Sequence, residues 1–418
     1  MTARTGVARG VRASNSALVG IYHDEQATRQ TGNHTVDFEL TREQLDLQQR
    51  ARSFINTEVL PFYRSWPITA PEYSPELTAH LKRKLHDFGL TKLVVPKAHG
   101  GQGLGAMEDV IVLTEFSKSP RRVPGAIFAP WPAMYEASEA IKSKYLYPVL
   151  EGETSWSMCF TEPEAGSDLA RIRTTAVRKG DCYVINGRKM WRTGHHGASY
   201  TAVAAVTDPE KGHRGISIFL VDNDTPGFEK VRDIPVMSRQ WGVEEEVKLE
   251  NVVVPAENLL GGEGAGFSIA QHQFNRFRLR LGGLALGVSE RSQELAIDWA
   301  KTREVFGGKL GDNQAIQWML TDSQYDIESI RWNTYYAAWL VDRGGYSAAR
   351  LQASMVKGYC IDAGLRVVDR SMQILGGRGL AIDDYPFSDF YNHLRMCKQM
   401  EGSTEIMKIV MAREILGA

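Results

Sequence analysis

The sequence has no long hydrophobic run and very little cysteine. No run of about 18 apolar residues occurs, so a membrane-spanning helix is not expected. The four cysteines, Cys159, Cys182, Cys360 and Cys397, show neither CxxC spacing nor an evident pairing. This pattern favours a reducing compartment and indicates neither a zinc site nor an iron–sulfur cluster.

The chain also lacks an excess of charge of either sign. Its formal net charge is −1, and acidic and basic residues are intermixed along the sequence. No basic face is therefore predicted, and nucleic acid is not an expected partner. With 43% hydrophobic and 24% charged residues in 418, the composition is that of a globular protein too long for a single core.

The first 36 residues differ from the rest, because they are polar and show little apolar periodicity. Arg4, Arg9 and Arg12 precede the first acidic residue, Asp24, as in an organelle transit peptide. A disordered extension is an equally simple interpretation and is slightly favoured. We therefore expect a cytoplasmic protein, with the mitochondrial matrix as the alternative.

Residues 37–154 are predicted to form an all-helical domain. Thr41 and Gln44 make a capping-box signal, and a glycine-rich turn follows at His99–Gly105. Apolar residues recur at helical spacing in four segments: Gln44–Phe62, Ser74–Phe88, Met107–Lys118 and Met134–Leu150.

Residues 155–265 are predicted to form an antiparallel β-barrel or sandwich, because the apolar period changes to two at Ser155. Hairpin turns are predicted at Lys179-Gly180-Asp181 and at Asn186-Gly187. The predicted strands are Ser155–Phe160, Thr174–Val177, Cys182–Ile185, Lys189–Arg192, Thr201–Val206, Ile216–Val221 and Val247–Val254. The glycine-rich stretch Gly261–Gly266 does not fit GxGxxG and is interpreted as a joint between domains.

Residues 266–418 are predicted to form a four-helix bundle. Long amphipathic segments separated by glycine turns are typical of antiparallel helices with short connections. These segments are Phe267–Arg303, Gln314–Arg343, Ala348–Leu375 and Glu405–Leu416. The fold class is therefore α+β, with helices, then a β domain, then a helix bundle.

Two distant segments carry the strongest chemical signal. Lys398–Ile406, KQMEGSTEI, places Glu401 on a turn of small residues before a helix. Considered alone, Glu401 has two plausible roles: it could interact favourably with the positive end of the helix dipole, or it could be a general base in a pocket. Cys159–Asp168 contains the string TEPEAGSD and is followed after a hairpin by Trp191-Arg192-Thr193. Together these segments resemble the acyl-CoA dehydrogenase family.

The resemblance implies a bound FAD and an acyl-CoA substrate. Thr161 would hydrogen-bond the flavin ring, Trp191 would pack against it, and Thr193 would approach N5. The implied cofactor residues are Cys159, Thr161, Gly166, Ser167, Trp191, Thr193, Arg303, Phe306, Gln314, Gln373, Gly377, Ser403 and Glu405. Those implied for the substrate and its coenzyme A are Ser167, Asn275, Arg278 and Gly402.

The resemblance also implies a homo-oligomer, either a dimer or a dimer of dimers. Arg303–Gly307 with Gln314-Ala315-Ile316 resembles the motif RxxFG…QAI, and Gln373–Gly379 resembles a loop that meets the adenosine half of FAD. In the family both contact the cofactor of a neighbouring subunit. The implied electron acceptor is an electron-transfer flavoprotein or a similar protein.

The reaction that the resemblance implies is α,β-dehydrogenation, as in fatty acid metabolism. Glu401 would take the α proton while the β hydride moves to the flavin. Some relatives carry the base one residue before the CoA-binding arginine, but that position is Phe277 here, which leaves Glu401 as the candidate. The alternatives are a flavin oxidase or monooxygenase of the same fold, to which His195 and His196 would be suited, and a non-catalytic flavoprotein scaffold.

The sequence departs from the family pattern near the predicted active site. Gln240, Gly242 and Glu244 stand where Arg, Ser and Thr are usual, and Gly194-His195-His196 replaces a common Asn-Gly. The further departures are Asn392-His393 and the polar run Lys398-Gln399-Met400. They bear on the substrate more than on the reaction. Of three alternating arginines, Arg276, Arg278 and Arg280, at least one is expected to face a polar cavity or a partner, since they cannot share one helical face.

Overall fold

The computed structural model describes residues 38–63, 74–123, 130–193, 198–238 and 243–417. The predicted extension at residues 1–36 and the departures at positions 194–196, 240 and 242 lie outside the described residues. Within them, a helical segment is followed by a sheet and then by long helices. The predicted α+β fold class is confirmed.

The N-terminal helices begin where the sequence provides caps. The Thr41 hydroxyl accepts from Gln44 N while the Gln44 side chain accepts from Thr41 N, and the Ser74 hydroxyl accepts from Leu77 N. The helices are α1 Arg42–Phe54, α2 Pro75–Asp87, α3 Ala106–Phe116, α4 Pro132–Tyr135, α5 Glu139–Ile141 and α6 Tyr147–Leu150. Alpha-helix α1 continues through a π-helical turn, Ile55–Val59, into Leu60–Tyr63.

Eight strands form one sheet that folds into an open sandwich. They are β1 Ser155–Cys159, β2 Thr175–Lys179, β3 Cys182–Arg192, β4 Ala198–Val206, β5 Ile216–Asp222, β6 Phe228–Pro235, β7 Val243–Pro255 and β8 Leu259–Leu260. Their order is β6-β7-β3-β2-β4-β5-β8, with β1 beside β4. Most neighbours are antiparallel, but β1 and β2 pair with β4 in parallel, and the barrel does not close.

Strands β4 and β5 are buried on both faces, because alternate side chains enter different cores. Val203 and Phe219 pack in the sandwich core with β3 and β7. Ala202 and Ile218 pack with the short helices α4–α6. The β domain is thereby fixed against the N-terminal helices.

Two parts of the β-domain prediction were wrong. Asn186-Gly187 is not a hairpin turn, because β3 runs through it with an irregularity in its pairing to β7. The Asn186 side chain instead accepts from Asn251 N at 2.8 Å, and a Cβ at Gly187 would collide with Thr174 Oγ1. Strand β6 was missed because most of its residues are exposed and charged and it lies at the edge of the sheet.

The C-terminal helices are α7 Gly266–Thr302, α8 Gln314–Ala348, α9 Arg350–Met355, α10 Ile361–Leu375, α11 Phe387–Cys397 and α12 Thr404–Leu416. Helices α7, α8, α10 and α11 share one core with α3. A π-helical turn, Val356–Cys360, joins α9 to α10, and a small hairpin of β9 Glu304–Val305 and β10 Gly308–Lys309 follows α7. Helix α11 was not predicted, although the buried Phe387, Phe390 and Leu394 recur at helical spacing. No helix in the described segments has the length and apolar character needed to cross a membrane.

Candidate active site

Glu401 lies on a short turn between α11 and α12, in a backbone conformation that its residue type disfavours. Its φ is 55°, and Gly402 beside it has a φ of 90°. Capping of α12 is performed by others: the Ser403 hydroxyl accepts from Ile406 N, and Glu405 provides the acid of the first turn. Glu401 is therefore not needed for the helix terminus, and the strained turn points to a functional role.

Burial alters the acidity of Glu401. Its Oε2 atom is buried and has no hydrogen-bond partner among the residues that the structure describes. Loss of hydration raises the pKa of the carboxyl group to about 7, although the positive charges of Arg278 and Lys357 act to lower that pKa. An unpaired carboxyl group with a pKa near neutrality is suited to accept a proton.

Arg278 on α7 holds the backbone of this turn. Its Nε donates to the Glu401 carbonyl oxygen at 3.0 Å, and its Nη1 donates to Asn275 Oδ1 at 2.9 Å. Arg278 is only 5% exposed, and burial lowers the pKa of its guanidinium group. Gly402 lies against Arg278 and Met407, since a Cβ there would be 3.4 Å from Arg278 Nη2 and 3.0 Å from Met407 Cε, and its φ of 90° favours glycine. The structure thus brings Asn275, Arg278, Glu401 and Gly402 together.

Lys357 is a further charged group at the turn, and it was not predicted. It is fully buried in the π-helical turn after α9, and its Nζ donates to the Lys398 carbonyl oxygen at 2.7 Å. In the sequence Lys357 looks like an ordinary helical lysine, and no local pattern distinguishes it.

A second cluster lies where β1 and β3 end. Met190 N donates to the Thr161 carbonyl oxygen at 2.8 Å, and Met158 pairs with Thr193 in an isolated bridge. Trp191, between them, has a φ of 62° and is 46% exposed. The structure therefore presents an indole ring beside two partly exposed threonines.

The remaining predicted β-domain residues lie close by. Gly166 and Ser167 are exposed on the turn after the Glu162–Ala165 bridge. Cys159 is different, because its side chain is buried in the sandwich core, which raises the pKa of its thiol to about 12. Any contact that Cys159 makes with a ligand must therefore use its backbone.

Thr193 has a buried acidic partner, Glu244. The sequence had marked Glu244 only as a departure from the family pattern and did not predict this contact. The Thr193 hydroxyl donates to Glu244 Oε2 at 2.7 Å. Glu244 is 1% exposed, and burial raises the pKa of its carboxyl group. A threonine at position 244 would not present this carboxyl group to Thr193.

An aromatic contact connects the two clusters. Phe160 directly precedes Thr161, and Phe274 lies one helical turn before Arg278. Their ring centroids are 5.4 Å apart in an edge-to-face arrangement, and Phe160 also stacks on Trp131. The contact thus joins the chain segment that leads into Thr161 to the part of α7 that carries Arg278.

Five predicted residues lie elsewhere, at the far end of α7. Arg303 follows Arg278 by about 25 residues, which is about 37 Å along a helix. Trp299 is the centre of this group, since the guanidinium groups of Arg303 and Arg378 lie 5.6 and 5.4 Å from its ring centroid. All five are exposed: Arg303, Phe306, Gln314, Gln373 and Gly377. They are not brought to Glu401 within one protomer.

Two departures from the family pattern have structural explanations. His393 is buried on α11, and its Nδ1 lies 3.0 Å from Ser238 Oγ. Burial lowers the pKa of His393 to about 3, so it stays neutral. Lys398 Nζ pairs with Asp362 at 2.7 Å. Neither side chain is paired with the Glu401 carboxyl group.

Comparison with known proteins decides the family. The acyl-CoA dehydrogenase N-terminal, middle and C-terminal domains match residues 41–153, 157–252 and 264–416.

The chain belongs to the acyl-CoA dehydrogenase family.

Relatives match over almost their whole length. An acyl-CoA dehydrogenase of Bacillus subtilis is 32% identical, over 90% of this chain and 99% of that protein. A cyclohexane-1-carbonyl-CoA dehydrogenase of Geobacter metallireducens is 34% identical, over 82% of this chain and 90% of that protein. The structure of butyryl-CoA dehydrogenase from Megasphaera elsdenii has a TM-score of 0.81 at 29% identity, covering 91% of this chain and all of that one. This member of the acyl-CoA dehydrogenase family is thus an oxidoreductase that acts on acyl-CoA.

Proposed function

We propose that the protein removes the α and β hydrogens of an acyl-CoA thioester and forms the 2-enoyl-CoA, with Glu401 as the base. The observation that carries this proposal is the buried, unpaired carboxyl oxygen of Glu401 on a strained turn held by Arg278. An α C–H group is a weak acid. A base with a pKa near 7 removes its proton more readily than an ordinary carboxylate.

Coenzyme A is proposed to bind along the Arg278 side of the turn. The guanidinium is fixed by Asn275 and by the Glu401 backbone, so it presents a preoriented cation to the thioester arm. Gly402 lies next to this guanidinium, and the exposed Ser167 is proposed to add a hydroxyl contact to the substrate. Holding the substrate between these groups places the α carbon beside Glu401, which provides most of the orientation that the reaction needs.

The residues of the second cluster fit an FAD. The exposed indole of Trp191 offers a flat surface, and Thr161 and Thr193 offer hydroxyls beside it. When bound, FAD supplies the oxidant, which accepts the β hydrogen with its electron pair while the α proton goes to Glu401. The proposed electron acceptor would be an electron-transfer flavoprotein or a similar protein.

We also propose that the cofactor is shared between protomers of a dimer or a dimer of dimers. Phe306 is fully exposed, has a φ of 49° and lies with Arg303 on a protruding hairpin. Exposed apolar and cationic groups far from the Glu401 turn of their own chain are suited to the diphosphate and adenine end of a neighbour's FAD.

The test is anaerobic titration of the flavin-loaded protein with acyl-CoAs. A panel of straight-chain, branched and ring-containing acyl groups is chosen, since the relatives include enzymes named for butyryl and cyclohexane-1-carbonyl groups. The flavin of the unaltered protein should bleach with at least one of them. Glu401→Gln should stay yellow, folded and oligomeric but bleach at least 1,000-fold more slowly (about 4 kcal/mol).

Glu414→Gln is the matched control. Glu414 is an exposed acid on the same helix α12, and it makes a surface ion pair with Arg350 at 3.4 Å. It should bleach as the unaltered protein does. Full bleaching by Glu401→Gln would overturn the assignment of the base. Admitting air after bleaching tests the alternatives: a dehydrogenase reoxidises slowly, an oxidase or monooxygenase reoxidises quickly, and a scaffold never bleaches.

A further inference from the structure

Lys357 is a lysine with no access to solvent, which is a costly arrangement for a cation. It lies in the π-helical turn Val356–Cys360 between α9 and α10. Such turns insert one extra residue into a helix and are frequent at functional sites. Helix α12 packs directly on this turn, since a Cβ at Gly358 would lie 3.3 Å from the Met407 Cβ.

The Lys357 ammonium closes the base of the loop that carries Glu401. The Lys398 carbonyl oxygen, at the end of α11, accepts from Lys357 Nζ at 2.7 Å and from Thr404 N at 3.1 Å. Lys398 and Thr404 are the two ends of the loop. One carbonyl oxygen therefore receives donors from the π-helical turn and from the first residue of α12.

Two buried cations thus fix opposite parts of one loop. Arg278 binds the Glu401 carbonyl oxygen at its centre, and Lys357 binds the Lys398 carbonyl oxygen at its start. Both cations also act electrostatically on the Glu401 carboxyl group, and both lower its pKa. Arg278 is proposed to bind coenzyme A, whereas Lys357 has no role in the proposed reaction.

We propose that Lys357 is a positioning residue for the catalytic base: its ammonium holds the Lys398–Thr404 loop, and its positive charge favours the ionised form of the Glu401 carboxyl group. This inference rests on the proposed role of Glu401. Lys357 would act on the Glu401 carboxyl group in two ways: its hydrogen bond to the Lys398 carbonyl oxygen holds the loop, and its positive charge acts on the carboxyl group directly.

The charges around Lys357 determine the pH range of this effect. Burial is the largest influence and lowers the pKa of Lys357 to about 8. Cys397 of α11, Glu405 of α12 and Glu401 act to raise that pKa, and Arg278 of α7 acts to lower it. Lys357 is therefore cationic at pH 7, where the Glu401 carboxyl titrates, and loses its charge only above about pH 8, where Glu401 is already ionised.

Two substitutions separate the charge from the hydrogen bond. Lys357→Met removes both with little change in volume, whereas Lys357→Gln removes the charge and keeps an N–H donor. The measurement is the rate of anaerobic flavin bleaching by a saturating acyl-CoA between pH 5.5 and 9.5. In both variants the acidic limb of the profile should move upward by about one pH unit, since the carboxyl group has lost a nearby cation.

The high-pH plateau gives the second readout. It should stay near that of the unaltered protein for Lys357→Gln and fall several-fold for Lys357→Met, because only the latter releases the Lys398 carbonyl oxygen. Lys408→Met, an exposed lysine of α12, removes the same charge and should leave the profile unchanged.

The outcomes are distinguishable from one another. If the unaltered protein is not bleached by any acyl-CoA, the proposed function fails. If the unaltered protein is bleached, and the acidic limb of the Lys357→Gln pH profile coincides with that of the unaltered protein, the electrostatic role of Lys357 is refuted. A plateau lowered in both variants without movement of the limb likewise overturns the proposal, because it is the result expected of a merely structural lysine.

Discussion

Backbone strain in this protein is concentrated at single residues of the candidate site. Five non-glycine residues in the described part of the chain have positive φ, and three of them, Trp191, Phe306 and Glu401, are residues implicated in cofactor binding or catalysis. Each such conformation costs roughly 1–2 kcal/mol, which the surrounding packing must offset. Strain of this kind fixes a side chain in one orientation, and at Glu401 it adds to the cost of a buried acid.

The cost of Glu401 makes stability depend on pH. The pKa of its carboxyl group is about 7 in the folded protein, against an ordinary value of 4.5. Between these values the unfolded chain releases a proton that the folded chain retains, so this group lowers stability as pH rises from about 4.5 to about 7. Glu401→Gln should therefore be more stable than the unaltered protein at pH 8, by on the order of 2 kcal/mol.

Thermal unfolding of the flavin-free chains at pH 5 and pH 8 measures this difference. The midpoint of Glu401→Gln should exceed that of the unaltered chain at pH 8, and the gap should be much smaller at pH 5. A gap of equal size at both pH values would mean that the charge of Glu401 is not its origin.

Glu401, Arg278 and Trp191 could be proposed as site residues from the sequence, because each lies in a linear motif. Lys357 was not predictable, because its importance comes from a contact with a carbonyl group 41 residues away and from a π-helical turn that periodicity does not reveal. The Glu244–Thr193 contact was hidden for a similar reason, since it joins two strands that pair only in the folded sheet. Linear motifs point to candidate ligand-binding residues. The residues that hold those candidates in place can be recognised only from the contacts of the folded chain.

Helix α7 shows how one element serves several parts of the molecule. Its three alternating arginines point to three partners: Arg276 donates to the Pro130 carbonyl oxygen, Arg278 to that of Glu401, and Arg280 to Asp109 of α3. The expectation that they do not share one face is confirmed. Helix α7 is thereby attached to the N-terminal helices on one side and to the base-bearing loop on another.

The Arg280–Asp109 pair should be a strong attachment between α3 and α7. Both of its Asp109 oxygens accept from Arg280, and the two side chains are only 14% and 10% exposed. Asp109→Ala leaves a largely buried cation and should destabilise the protein by roughly 3 kcal/mol. Asp233→Ala is the control, because its pair with Lys230 is about half exposed on both sides and should change stability little.

Thermal unfolding at low and high salt distinguishes these two pairs. A loss for Asp109→Ala no greater than that for Asp233→Ala would show that the buried pair is not an attachment. A double variant, Asp109→Leu with Arg280→Met, should recover part of the loss, since it removes the uncompensated charge.

Helices and strands with a strong apolar period were predicted from the sequence. Elements whose conformation depends on pairing with a neighbouring strand were not. Helix α10, which lies within the predicted segment Ala348–Leu375, has a clear amphipathic pattern. The Asn186-Gly187 pair has the composition of a turn, but β7 pairs with β3 on both sides of it and keeps the strand continuous. Tertiary pairing there outweighs a local turn preference.

The protomer has two groups of proposed site residues that are separated along α7. Arg278 and the Glu401 turn form the first group, and the exposed Arg303 and Phe306, just beyond the C-terminal end of α7, form the second. The motifs predicted both sets of residues, and the resemblance to the family assigned the second set to a neighbouring subunit. The sequence alone does not give the distance between the sets, because that distance depends on α7 being one uninterrupted helix.

Sharing of the cofactor between protomers predicts complementation between two inactive variants. Phe306→Ala should bind FAD about tenfold more weakly and be largely inactive without loss of chain stability, since Phe306 is fully exposed in the protomer. Val177→Ala, an exposed apolar residue of β2, is the control and should retain FAD.

In a mixed oligomer of Phe306→Ala and Glu401→Gln chains, one kind of site combines the intact Glu401 of one chain with the intact Phe306 of the other. Random association should thus restore about a quarter of the sites, and bleaching by acyl-CoA counts them directly. A mixture of Glu401→Gln with the double variant Glu401→Gln, Phe306→Ala has no such site and should stay inactive. If the first mixture bleaches no more than its components, Phe306 serves the FAD of its own chain, and the sites are not shared.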